Sequence, residues 1–151
     1  MTRWATSVSA SLISMLSANY KRLCHYIRDD DVIVLNKKND WSNSKTGSRI
    51  ITIGTIGPNY ILIAALAHEY GHVLRFRDPK SKKGQLFLYT TFKVVRNKRH
   101  QKAILEEERI AWVLGFAVLR KLNIPVTNDM KWFRREMLAS HKRATDYLLS
   151  K

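Results

Sequence analysis

His68 and His72 stand four residues apart in the run His68-Glu69-Tyr70-Gly71-His72. On a helix, that spacing puts both imidazoles on one face, one turn apart, where they can share a metal ion. Glu69, next to the first histidine, then points toward the same place and can take a proton from a water on that metal. No other segment of the chain makes so specific a chemical proposal.

Two histidines do not complete a catalytic zinc site, which has three protein ligands and leaves one position for water. The remaining histidines are His25, His100 and His141. The conspicuous third ligand is instead a carboxylate from Glu106-Glu107-Glu108, three adjacent acids in a chain with only 12 Asp and Glu against 27 Lys and Arg. Carboxylates also suit the first turn of a helix, where the dipole favours negative charge. The inner face of that helix runs through Ile104, Ala111, Gly115, Val118 and Leu122. Glu107 and Glu108 both fall near this stripe and Glu106 points away, so helical phase leaves Glu107 and Glu108 both open. A purely structural metal site needs a fourth protein ligand in place of water, with Glu107 or His141 as candidates.

The elements that must position these groups are readable in outline. Gly57-Pro58 is a turn, Asn59 an N-cap candidate, and the apolar run Tyr60 to Ala67 opens a buried helix over 59–75. A second helix is expected over 103–122, stopped at Asn123-Ile124-Pro125, and a third from about Asn128-Asp129 to Ser150. The N-terminal stretch imitates a signal peptide, but serines interrupt its apolar core. It reads instead as an amphipathic helix with Trp4, Val8, Leu12, Met15, Leu16, Tyr20, Leu23 and Ile27 inward. Residues 31–36 and 49–54 read as strands, the second expected as an edge that receives an extended substrate. Residues 37–47 read as a loop, and 86–95 as a strand by composition or a helix or flap by length. The expected fold class is α+β, in a single domain over residues 1–151.

Composition bounds the setting. The formal net charge is +15 and the isoelectric point about 10.3, with basic residues gathered at 75–83, 93–102 and 131–143. A field of that sign attracts nucleic acid or an acidic partner. The single Cys24 excludes an intramolecular disulfide framework and a cysteine-rich zinc site. No stretch is long and apolar enough to suggest a membrane span, and the expected location is the cytoplasm.

The segment Ala67-His68-Glu69-Tyr70-Gly71-His72-Val73-Leu74 resembles the zincin metallopeptidases of the gluzincin branch. Its local texture is most similar to small peptidases of the ImmA/IrrE type from bacteria, phages and mobile elements. The resemblance spans roughly residues 48 to 120, about half the chain. In several such families the third ligand lies in E-x-x-A, which here is Glu108-Arg109-Ile110-Ala111. The resemblance thus implies Zn²⁺ held by His68, His72 and Glu108, with Glu69 as general base in hydrolysis of a protein or peptide substrate. It further implies helices packed on a small sheet, with the motif helix and a later ligand helix forming the site. Trp112 departs from relatives that carry a polar residue there, and no third histidine follows at the metzincin spacing. A His100 ligand, as in proteases of the SprT type, requires the intervening loop to fold back. For a second oxyanion donor the sequence offers Tyr70, Tyr89, His141 and Tyr147. The competing reading is a basic protein that binds nucleic acid or a host factor on the same scaffold without turnover.

Overall fold

One helix runs through the middle of the fold. The computed structural model describes residues 10–37, 43–44, 49–54, 59–78, 95 and 97–151. In chain order these form α1 (Ala10–Asp29), β1 (Ile33–Lys37), β2 (Asn43–Ser44), β3 (Ile50–Gly54), α2 (Asn59–Arg77), α3 (Lys98–Lys121) and α4 (Asn128–Leu149). From Ile63 to Gly71 every residue of α2 is buried, the behaviour of a helix that is apolar on all sides. The architecture is α+β. No helix among the described residues is long and apolar enough to cross a membrane.

The three strands make one sheet in the order β1-β3-β2. β3 pairs in parallel with β1, from Ile33 opposite Ile50 to Lys37 opposite Gly54. It pairs antiparallel with β2 through Asn43 and Ser44. β3 is therefore the central strand, which corrects the expectation of an open edge there. The cause is Asn43–Ser44, within the stretch expected as loop, which pair with β3 as a two-residue strand. Two polar residues carry no periodicity by which a strand can be read.

Val34, Ile51 and Ile53 face inward and join Leu16, Leu23 and Ile27 of α1 with Ile63, Leu66 and Ala67 of α2 in the core. Each fully buried Leu or Ile contributes about 1.5–3 kcal/mol before conformational entropy is charged. Met15 is 44% exposed rather than inward, and Trp4 and Val8 lie outside the described residues, as does the segment 86–94. Both α1 and α3 end in Schellman motifs. Asp31 (φ 58°) and Asn123 (φ 54°) take the left-handed position. Val32 then donates to the Ile27 carbonyl, and Ile124 to that of Leu119. Each motif drops an apolar residue, Val32 or Ile124, into the core.

α3 begins at Lys98, not Ala103, because the Asn97 side chain caps it by accepting from the His100 N–H at 2.8 Å. Thr127 caps α4 in the same way, accepting from the Met130 N–H at 3.2 Å.

Candidate metal centre

Main-chain contact between α2 and α3 brings the chemistry-bearing residues together. A Cβ built on Gly71 would lie 2.8 Å from the Ala111 carbonyl carbon and nearer still to its oxygen. One built on Gly115 would lie 2.6 Å from the Ala67 carbonyl carbon. Only glycine fits at either crossing, and each glycine meets the backbone of an alanine on the other helix. His68 and His72 flank Gly71 on α2, and Glu108 lies one turn before Ala111 on α3.

There the two Nε2 atoms of His68 and His72 lie 3.1 Å apart. Glu108 Oε2 is 3.2 Å from His68 Nε2 and 3.4 Å from His72 Nε2. Metal–donor bonds of about 2.0–2.1 Å at tetrahedral angles space neighbouring donors roughly 3.3 Å apart. The triangle therefore has the edge lengths that three ligands of one small cation require. It is also enclosed, with side-chain exposures of 9% for His68, 13% for His72 and 12% for Glu108. Among the described residues Glu108 Oε2 has no hydrogen-bond partner of good geometry. The imidazole contacts of Glu108 are thus close approaches of three ligand-type atoms, a spacing that one cation between them would satisfy. This group could hold a metal ion, and its two imidazoles and carboxylate do not single out zinc.

Burial opposes ionisation of Glu108, yet the imidazoles of His68 and His72 outweigh it and hold the carboxyl well below the usual range. His72 is likewise pushed down by burial, but Glu108, with smaller contributions from Glu69 and Glu107, carries it above its ordinary value.

The three adjacent glutamates have separate partners. Glu106 pairs on the surface with Arg109 at 2.9 and 2.7 Å. Glu107 is buried and accepts two hydrogen bonds from the Arg75 guanidinium, both at 2.8 Å. Glu108 alone meets the histidines. Arg75, in the last turn of α2, was not identified from the sequence, since nothing local marks it as the partner of a residue on another helix.

His141 of α4 places its Nε2 3.5 Å from Glu108 Oε2. It is not part of the mutually close ligand group. Burial lowers the His141 pKa, with Glu108 acting in the opposite sense. Glu69 is buried at 8% exposure. Trp112 stacks on the His68 ring with centroids 4.2 Å apart and planes 20° from parallel, a contact that sequence reasoning missed. Tyr70 points elsewhere and donates to Asp30 Oδ2 at 2.6 Å, and Asp30 also pairs with Arg77. Tyr147 is 61% exposed, with the Lys151 ammonium over its ring. His25 is exposed on α1, and His100 sits in the first turn of α3, outside the ligand group. Tyr89 lies outside the described residues.

Comparison of the chain with known protein families, with curated proteins and with solved structures finds no match.

Proposed function

We propose that this protein is a zinc-dependent peptidase built on a zincin-like arrangement of the gluzincin type, with His68, His72 and Glu108 as metal ligands. The observation that carries this reading is the enclosed triangle of three donor atoms at 3.1, 3.2 and 3.4 Å. A divalent ion bound there supplies Lewis-acid polarisation of a carbonyl and brings the pKa of water toward neutrality. Glu69 accepts the proton of the attacking water and returns it to the leaving amine. His141 lies 3.5 Å from Glu108 Oε2, and burial lowers its pKa, favouring the neutral ring. It offers a ring N–H to the oxyanion as the carbonyl becomes tetrahedral. Among the sequence candidates for that donor, Tyr70 and Tyr147 are engaged elsewhere.

The test is cleavage of an unfolded protein substrate before and after chelation. Activity is expected to disappear with the metal and return with added zinc. His141→Ala is expected to keep the metal and lower kcat about 100-fold, the usual cost of one oxyanion donor. Cleavage indifferent to chelation overturns the reading, and an unchanged kcat removes His141 from it.

A second reading, recruitment to a polyanion, rests on α3. Its first turn holds no acidic residue, and Lys98, Arg99 and Lys102 crowd the helix end where the dipole is already positive. Nucleic acid or an acidic protein would relieve that repulsion and bring a substrate to the same molecule.

A further inference from the structure

A metal-ligating histidine ordinarily gives its second ring nitrogen to a carboxylate, a carbonyl or a water, which fixes the ring's orientation. Among the described residues neither ligand histidine does so: His68 Nδ1 and His72 Nδ1 are both buried without a hydrogen-bond partner. Something else must keep these rings from turning about their side-chain torsions. Among the described residues, the ring that lies almost flat against His68 is the Trp112 indole, with centroids 4.2 Å apart.

We infer that Trp112 is a positioning residue of the metal centre, whose stacked indole holds His68 in its ligand orientation in place of the usual hydrogen bond. The inference rests on the metal-site reading above. Three further observations support it. Trp112 stands one turn after Glu108 on α3, so a single helix face carries both a ligand and the clamp on another ligand. Trp112 is itself immobilised: it is 1% exposed and packs at steep angles against Phe116 and Phe133, with ring centroids 5.5 and 5.8 Å away. Phe133 belongs to α4, so the clamp is braced by the same helix that carries His141. Finally, the indole Nε1–H finds no acceptor among the described residues. The ring face, not the N–H, is then the working part of this side chain, and any flat aromatic of similar reach should serve.

That last point makes the inference testable. Zinc affinity is measured by competition with a chromophoric chelator for the wild type, Trp112→Phe and Trp112→Leu, with tryptophan emission followed during loading. Trp112→Leu is expected to bind zinc about 10–100-fold more weakly, the usual cost of losing a ligand's orienting partner, while Trp112→Phe stays within about threefold of wild type. Wild-type emission should change on loading, because the indole touches a ligand ring, and Trp112→Phe should lose that change while Trp4, Trp41 and Trp132 still emit. Wild-type affinity in a folded Trp112→Leu, or emission indifferent to zinc, overturns the positioning role alone. Should Trp112→Leu not fold, the emission change and the Trp112→Phe affinity decide the matter. A wild type that takes up no zinc overturns the metal site itself and this inference with it.

Discussion

Glu69→Gln is expected to lower turnover about 10²–10⁴-fold while the metal stays bound. Glu69 is buried at 8% exposure on the helix that carries both histidines. Its charge acts on both His72 and His141, favouring the protonated ring of each. Glutamine keeps the shape and one acceptor oxygen but cannot take a proton. Loss of a positioned general base costs about 10²–10⁴-fold, and the loss should fall on kcat with KM little changed. Kinetics on a peptide substrate, beside metal content of the same preparation, check this. Full activity in Glu69→Gln places the base elsewhere, and loss of the metal would make Glu69 part of the ligand shell.

Gly71→Val is expected to damage both stability and the site. The side chain would need the space of the Ala111 main chain, not of a movable side chain. α3 must therefore retreat, and overpacking of this kind costs about 1–3 kcal/mol or more. For a chain of this length that lowers Tm by roughly 2–4 °C per kcal/mol. The same retreat carries Glu108 away from His68 and His72, so zinc affinity should fall along with Tm. Ala111→Gly in the same chain should not rescue either property, because the clash is with a carbonyl that glycine also has. Thermal melts and zinc titrations of the single and double variants test this, and a rescued double variant would show a side-chain contact instead.

The part of the fold legible in the sequence was the part carried by local pattern. The histidine pair, its apolar helix and the small residues at Gly71, Ala111 and Gly115 all follow from helical spacing. Helical phase alone could not choose between Glu107 and Glu108. In the structure Arg75 holds Glu107 through a two-pronged pairing across α2 and α3, and Glu108 is the one that lies beside the histidines. That pairing depends on how two helices approach, and approach leaves no periodic trace. The early start of α3 has the same character, since one Asn97 side chain outweighs the polarity of the basic turn that follows. Trp112 was visible only as a departure from a polar position. Its role follows from what stands opposite it in space, the His68 ring.

The central claim is that two imidazoles and one particular carboxylate hold a cation. Metal content by elemental mass spectrometry of purified wild type, Glu108→Ala and Glu107→Ala tests it most directly. One zinc per chain is expected in the wild type, none in Glu108→Ala, and one in Glu107→Ala. Glu107→Ala should instead lose about 1.5–3 kcal/mol of stability by removing the two charge-assisted hydrogen bonds from Arg75. No metal in the wild type after zinc is supplied, or metal retained in Glu108→Ala, would contradict the account.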